Sequence, residues 1–221
     1  MGIVMLKSTY QKIVKLFQEN NGYVNAALLK KEKVTTVQIK ELLQNGTIEK
    51  VSHGHYWLVS EEGKPENYKL LETCQTNPKA VICADSACYY HGLIKEEPEK
   101  LSIATAKTDR SRMQLPFPVC RHYYSDVAFE QDLQIIETPY GKIRVYGLER
   151  SVCDSIRFQE NIGEENVTEI VENYMKQDKK ELERLQAYAD AMRVGKIVRT
   201  RLEKASKACK KQEEETSKKS K

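Results

Sequence analysis

The sequence predicts a mixed α/β (α+β) fold in two domains, and three features of the chain support this prediction. Apolar residues recur every three or four positions near both ends of the chain, which is typical of amphipathic helices. Short runs of alternating apolar and polar residues in the middle are typical of strands. A polar, aperiodic stretch at residues 61–65 is a candidate linker. We therefore predict domains at residues 1–63 and 66–203, followed at 204–221 by a charged tail that is disordered or at most frayed helix.

The composition narrows the class of protein. The 221 residues carry a formal net charge of +4, which is too small to identify a nucleic-acid-binding protein by itself. No apolar run approaches the roughly 20 residues that a membrane-spanning helix needs, and the apolar run at the N-terminus is too short for a signal peptide. We therefore expect a cytoplasmic protein whose six cysteines are reduced thiols.

Three helices are predicted in the first domain, each with its own start signal. The first helix has an apolar stripe at i, i+3, i+4 and i+7 from Tyr10, and a capping-box pattern that starts at Ser8. Asn25 is the expected N-cap of the second helix. Thr35 begins the third helix, and Gln38 completes a capping box with it.

A two-stranded ribbon is predicted after the third helix. Apolar residues alternate on both sides of the turn His53-Gly54-His55, as expected for two paired strands. A helix, a turn, a second helix and a ribbon in this order predict an N-terminal winged helix-turn-helix. In that fold the third helix of this domain would enter the DNA major groove, so DNA binding is the first functional hypothesis.

Ten residues are candidate DNA contacts. Side chains near the start of the recognition helix reach base edges, whereas basic side chains and the helix N-terminus hold phosphates. Glu41 is a difficulty, because it is predicted on the same outward side and would repel phosphates. A winged helix used for protein contacts is the alternative. The candidates are Lys33, Thr35, Thr36, Val37, Gln38, Lys40, Gln44, Lys50, His53 and His55.

The second half alternates predicted helices and strands and has a helical C-terminus. The clearest feature is a hairpin with strands at residues 133–138 and 142–146 around the turn Pro139-Tyr140-Gly141. Further helices are predicted at about residues 85–91 and 151–158, with Asp85 as a helix-start residue, and in three stretches between residues 166 and 202.

Catalytic and metal-binding patterns are weak. Cys83, Cys88 and His91 offer three metal ligands without a fourth, and buried structural cysteine is the simpler interpretation. The chain has no GxSxG, P-loop, GxGxxG or HExxH pattern. Glu137 and Lys142 suggest a nuclease-like pair, although a surface pair across the hairpin is the simpler explanation. We assign no catalytic residue, metal or cofactor and expect a protein that is not an enzyme.

Several blocks of the chain, in order, resemble the AbiEi-type antitoxin family. Residues 85–93 (Asp-Ser-Ala-Cys-Tyr-Tyr-His-Gly-Leu) resemble the family's SALYLHGL helix, and residues 101–105 resemble the hxIxT strand that follows it. Residues 140–157 are similar to the G–V–ERTICDxxR block, with Ser151 in place of the usual Thr. Residues 24–58 match the N-terminal winged helix, whose wing ends in Gly-x-Tyr-Trp-Leu. A similar C-terminal helix at residues 192–199 extends the match to about residue 203.

The resemblance implies the antitoxin of a type IV toxin–antitoxin system, a class linked to abortive infection and phage defence. Proteins of this family repress their own operon by binding inverted repeats in double-stranded DNA through the winged helix. Their C-terminal domain neutralises a nucleotidyltransferase toxin without forming a stable complex with it. A group of arginines in the second half is our candidate antitoxin surface, with an ordinary solvated face as the alternative: Arg110, Arg112, Arg121, Arg144 and Arg150.

Two other functions are consistent with the sequence. A nucleic-acid-processing enzyme would use the winged helix only to position itself, with Glu137 and Lys142 near the reacting phosphate. A ligand-responsive transcription factor would instead use the second domain as a sensor.

Overall fold

The computed structural model describes residues 5–219, with side chains described up to residue 207 except at residues 126 and 127. The fold is mixed α/β, as predicted, and contains two sheets in the described part of the chain. The chain forms two compact units. The first contains the chain up to Lys79 together with Arg110–Pro118 and Ile136–Ile143, and the second contains Ala80–Asp109, Val119–Ile135 and the chain from Arg144 onward.

The first unit has three helices and a three-stranded antiparallel sheet, followed by a further helix. The sheet order is β1-β3-β2, so the two strands of the predicted ribbon are neighbours. Apolar faces of the first three helices and the sheet form one core that contains Phe17, Leu29 and Leu42. The elements are α1 (Lys7–Glu19), β1 (Tyr23–Asn25), α2 (Ala26–Lys31), α3 (Thr36–Gln44), β2 (Ile48–Ser52), β3 (His55–Leu58) and α4 (Tyr68–Thr76).

Two of the three predicted helix caps are confirmed. The Asn25 side chain accepts a hydrogen bond from the Leu28 N–H, and Thr35 forms the complete capping box with Gln38. The predicted cap at Ser8 is wrong, because α1 begins at Lys7 with Leu6 at the N-cap and no side-chain hydrogen bond there. The first turn of α1 is exposed, so water can satisfy its free N–H groups without a capping side chain.

The second unit is built on a mixed sheet of order β6-β5-β4-β8-β7, of which residues 136–143 at the tip of the β7–β8 hairpin belong to the first unit. Strand β4 pairs antiparallel with β5 and parallel with β8, and β5 pairs parallel with β6. The hairpin of β7 and β8 occurs where it was predicted. The elements are β4 (Val81–Ile82), α5 (Ala84–Tyr90), β5 (Leu101–Ala106), β6 (Val119–Tyr124), α6 (Asp126–Phe129), β7 (Leu133–Thr138), β8 (Gly141–Tyr146), α7 (Leu148–Arg157), α8 (Gln159–Ile162), α9 (Glu164–Met175), α10 (Leu182–Ala191) and α11 (Gly195–Lys219).

The C-terminal helices form the largest core of the second unit. Val152 of α7, Ile170 of α9, Leu185 of α10 and Val198 of α11 are completely buried in it. The final helix continues past the predicted boundary at residue 203, and Ala205 is buried in the same core. The charged tail, expected to be disordered or frayed, is therefore helical up to Lys219, while residues 220 and 221 lie outside the described residues.

The polar stretch predicted as a linker does not end the first unit. Lys64 forms an ion pair of 2.7 Å with the completely buried Glu72 of α4, and Glu72 also accepts a hydrogen bond of 3.1 Å from the Tyr23 hydroxyl. These contacts hold α4 in the first unit, so the boundary lies after Lys79. In the described part of the chain, no helix is both long enough and apolar enough to cross a membrane.

Candidate nucleic-acid interface

The capping box determines where α3 starts and which of its side chains are free. The Gln38 N–H donates to the Thr35 hydroxyl at 3.3 Å, and the Thr35 N–H donates to the Gln38 side-chain oxygen at 2.8 Å. Both side chains were predicted DNA contacts, and both are engaged with the backbone of their own helix. Their structural role is therefore to orient the helix start, while the neighbouring residues remain open to solvent.

The outward side of α3 is polar and exposed. Thr36, Lys40 and Gln44 are exposed at spacings of four residues, so they lie along one side of the helix. Val37 lies beside them and is 58% exposed, so this large apolar side chain is not buried within the unit. Leu42 is buried on the opposite side and attaches the helix to the core. These four outward residues form the face that we call the α3 face.

Glu41 does not lie freely on the α3 face. Its carboxylate accepts a hydrogen bond of 2.8 Å from the Met5 N–H, and the residue is half-buried. The contact joins α3 to the segment that precedes α1. The repulsion between Glu41 and phosphate, which the sequence suggested, is therefore reduced, because the carboxylate is turned toward a backbone donor.

The turn before α3 and the ribbon after it contain the other predicted contacts. Lys33 is exposed and has φ of 61°, a left-handed conformation that reverses the chain between α2 and α3. Lys50 of β2 and His53 of the turn are exposed. His55 is half-buried, and its Nδ1 lies 3.2 Å from the Ser52 hydroxyl, so it is less available than predicted.

Replacing the cap residue should weaken α3 measurably. We expect Thr35→Ala to lower the free energy of unfolding by about 1 kcal/mol, because the Gln38 N–H loses its acceptor. Urea unfolding monitored by the fluorescence of the single tryptophan, Trp57, measures this loss in the first unit. Thr36→Ala is the matched control, because Thr36 is exposed and is not the cap residue, and its effect should stay below about 0.5 kcal/mol. Equal effects of the two substitutions would contradict the role of the capping box.

The predicted arginine group is not one surface. Arg110 and Arg112 are exposed in the loop after β5 and belong to the first unit, whereas the other three belong to the second. Arg150 is a correction, because it is completely buried and cannot contribute to any surface. Its Nε donates to Asp154 at 3.0 Å and its Nη1 donates to the Gln131 carbonyl at 2.9 Å.

Arg121 and Arg144 point to opposite faces of the second sheet. Arg121 is in register with Ile103, Ile103 with Ile82, and Ile82 with Val145. Paired residues on neighbouring strands share a face, so Arg121 and Val145 are on the same side. Arg144 precedes Val145 directly and therefore points to the other side. The two half-buried arginines cannot form a common patch.

The nuclease-like pair has a simple structural explanation. Lys142 Nζ and Glu137 Oε1 are 2.7 Å apart, and the two side chains are 66% and 68% exposed. They form a surface ion pair across the β7–β8 hairpin, which was the alternative interpretation of these residues. Such exposed pairs contribute about 0–1 kcal/mol and need no catalytic role.

The cysteine–histidine pattern does not form a site for a metal ion. Cys83 and Cys88 are completely buried, and burial raises the pKa of both thiols. The Cys88 thiol lies 3.4 Å from the Ser155 hydroxyl, and His91 Nε2 lies 2.8 Å from the Tyr146 carbonyl oxygen. Within the described residues, no three His, Cys, Asp or Glu side chains are close enough together to hold a metal.

Comparisons with known proteins identify a related fold but no family. No family model matches the sequence, and no curated protein matches it. Among solved structures, the chain is similar to the RV2827C protein from Mycobacterium tuberculosis, with a TM-score of 0.52 and 11% sequence identity. The similarity covers 92% of this chain and 83% of that chain. At this low identity it shows the fold alone, across both units.

Proposed function

We propose that this chain is a DNA-binding repressor whose N-terminal unit is a winged helix-turn-helix. The observation that carries the proposal is the α3 face, where Thr36, Val37, Lys40 and Gln44 are exposed on a helix whose start is held by a capping box. Gln can make two hydrogen bonds to adenine, Lys can bind guanine, and Val can contact a thymine methyl group. Lys33 precedes α3 in the sequence and Lys50 follows it, and both can supply positive charge to DNA phosphates.

The element order and the sheet pairing support this assignment. A short strand, two helices and a two-stranded ribbon follow α1, and the short strand β1 pairs with β3 of the ribbon. This is the arrangement expected of a winged helix, in which the ribbon is the wing. The Glu41–Met5 hydrogen bond weakens the main objection to the α3 face as a DNA surface.

Two substitutions on the α3 face test the proposal. We expect Lys40→Ala and Gln44→Ala each to weaken binding to the DNA upstream of this gene by about 5- to 150-fold, corresponding to about 1–3 kcal/mol per base contact. If Lys40 contacts a phosphate, Lys40→Ala makes the decrease of log K with log salt concentration shallower, by about 1 in the slope. Fluorescence anisotropy with labelled duplex, repeated over a salt series, measures both quantities.

The controls for this experiment are on another helix. Lys12→Ala and Gln18→Ala remove the same residue types from exposed positions of α1 and should leave affinity unchanged. A duplex of scrambled sequence separates specific binding from the electrostatic term. Unchanged affinity in both α3 variants would exclude this helix as the DNA-reading element.

We further propose, from the family resemblance, that the chain is the antitoxin of a type IV system and controls its own operon. The partner would be a nucleotidyltransferase toxin, neutralised without a stable complex. The block at residues 140–157 forms β8 and the whole of α7, and Glu149–Ile156 of α7 are all buried. This block therefore supports the fold of the second unit, and the antitoxin surface must consist of other, exposed residues.

A co-expression experiment separates the two proposed activities. The full chain carrying both Lys40→Ala and Gln44→Ala should still protect cells from the product of the neighbouring toxin gene when both are expressed from foreign promoters. The intact chain is preferable to a fragment from residue 66, because α4 belongs to the first unit. Continued growth with the intact chain but arrest with the double variant would place the antitoxin activity in the DNA-binding unit. Arrest with both proteins would refute the antitoxin assignment.

A further inference from the structure

The second unit holds a polar cavity of about 240 Å³ that the proposed function does not use. Asp85 of α5, Ser102 of β5 and Cys120 of β6 line it, together with Pro98 and Ile162. Its volume corresponds to on the order of eight water molecules in the liquid. It is smaller than the roughly 300–1,000 Å³ of pockets for drug-sized ligands, so it suits a compact molecule.

Asp85 places a buried carboxylate in the wall of this cavity. The residue is only 6% exposed. One carboxylate oxygen accepts a hydrogen bond of 2.9 Å from the Ser86 N–H, and the Ser102 side chain also hydrogen-bonds to the carboxylate. Burial raises the pKa of Asp85, and these hydrogen bonds oppose that shift without cancelling it.

Two other buried acidic side chains of this unit have a cationic partner, whereas the buried Glu149 accepts hydrogen bonds from the Tyr174 hydroxyl and the Glu181 N–H instead. Asp154 is paired with Arg150 at 3.0 Å, and Asp132 is paired with Arg184 at 2.6 Å. Asp85 forms no ion pair with any basic side chain that the structure describes. An acidic residue in the first turn of a helix is stabilising, but that role needs no burial beside a cavity. Because Asp85 lines the cavity, the space next to its carboxylate is open to a cation.

The other walls determine what kind of cation fits. Glu99 and Lys100 lie at the cavity's exposed edge, and their formal charges cancel. The negative charge inside the cavity is therefore that of Asp85. Pro98 and Ile162 are half-buried and provide an apolar wall. A metal ion is disfavoured, because the described residues provide no cluster of three ligands for it.

We propose that this cavity binds a small organic cation, with a guanidinium or ammonium group on the Asp85 carboxylate and its carbon chain along Pro98 and Ile162. A guanidinium group is weakly hydrated and can donate two parallel hydrogen bonds to a carboxylate, so it suits a desolvated acid. The proposal is independent of DNA binding and of the antitoxin assignment, because it rests on a different set of residues in the second unit.

Calorimetric titration of the full chain at neutral pH tests the proposal with matched ligands. We expect butylguanidine and agmatine to bind with dissociation constants on the order of 1 mM or tighter. Butylurea has nearly the same shape as butylguanidine but no charge, and it should bind at least about tenfold more weakly. Binding of butylurea and butylguanidine with equal affinity, or no heat from any of these ligands, would overturn the proposal. Preferential binding of an uncharged nucleoside would overturn it as well.

Three variants connect the binding to the cavity. Asp85→Asn keeps the shape of the side chain and removes the charge, and it should weaken butylguanidine binding at least about tenfold. Cys120→Leu leaves Asp85 intact but fills part of the cavity, and it should weaken the binding of both butylguanidine and agmatine. Glu169→Gln removes an exposed acid from α9 and should change nothing. Circular dichroism verifies that each variant is folded, and unchanged binding in both cavity variants would exclude this site.

Discussion

Replacing Arg150 by Met is expected to lower the free energy of unfolding by about 3–5 kcal/mol, the largest effect that we predict for this protein. Arg150 and Asp154 are both completely buried and lie one turn apart on α7. Removing the guanidinium would leave the buried Asp154 carboxylate without its ion-pair partner and the Gln131 carbonyl without the Arg150 donor. Met preserves most of the apolar contact that the Arg150 side chain makes with Tyr146, whose ring centre is 4.2 Å from the guanidinium carbon.

The loss should depend on pH in a defined direction. Complete burial already raises the pKa of Asp154, and the Arg150 guanidinium opposes that shift. Without Arg150, the folded-state pKa rises further above that of the unfolded chain. Folding then favours the protonated carboxyl, so the variant gains stability as the pH falls and loses it as the pH rises through the folded-state pKa. We therefore expect a smaller stability difference from the wild type in mildly acidic buffer than in alkaline buffer.

Urea unfolding followed by circular dichroism, together with hydrogen exchange of peptides from α7, measures the effect of Arg150→Met. The exposed Arg112→Met is the matched control and should change stability by less than about 0.5 kcal/mol. The double variant Arg150→Met with Asp154→Leu should recover much of the loss, because apolar replacements of buried ion pairs are often neutral. A loss below about 1 kcal/mol in the single variant would show that Asp154 is stabilised without Arg150.

The second large effect is expected at Gly22, where Gly22→Ala should cost about 2–4 kcal/mol. Gly22 has φ of 85°, which an alanine adopts only with strain. A Cβ at this position would come within 2.9 Å of three atoms of the Trp57 ring. Trp57 cannot move aside easily, because it is buried and its ring centre lies 4.4 Å from that of Tyr23.

Gly46→Ala is the matched control for this experiment. Gly46 follows a helix, as Gly22 does, and has φ of 72°, but its added Cβ would have open space around it, with no atom of the described residues beyond its chain neighbours within 4 Å. It should therefore lose only the conformational term of about 1 kcal/mol. Thermal and urea unfolding monitored by Trp57 fluorescence compare the two variants. Equal losses would show that the Trp57 ring yields to the added methyl group.

The parts of the fold that were predicted correctly depend on residues close together in the sequence. The capping box of Thr35 joins residues three apart, and the β7–β8 hairpin depends on two adjacent strands and their turn. The α3 face follows from helical spacing alone. Ser8 shows the limit of such signals, since the same capping pattern occurs there without forming a cap. A local pattern indicates which capping hydrogen bond can form. Whether that bond is needed depends on solvent exposure, because water can satisfy the N–H groups of an exposed helix start.

The roles of the charged residues could not be predicted in the same way. The sequence assigned Arg110 and Arg150 to the same surface, yet Arg110 is exposed in a loop and Arg150 is completely buried. Glu41 follows the helical spacing of the α3 face, but its partner is the N–H of Met5, 36 residues away. Lys64 belongs to a stretch with the composition of a linker, and Glu72 holds it in the first unit.

The sequence by itself determined the mixed α/β class, the positions of most helices and strands, and the outward face of α3. These properties follow from side-chain periodicity and from capping between residues a few positions apart, and both are set by local backbone geometry. Only the tertiary structure decided which charges are buried, which side chains are free to bind and where the first unit ends. A charge can be buried only if its partners are brought to it, and those of Arg150 and Glu72 include residues 19 and 49 positions away in the sequence.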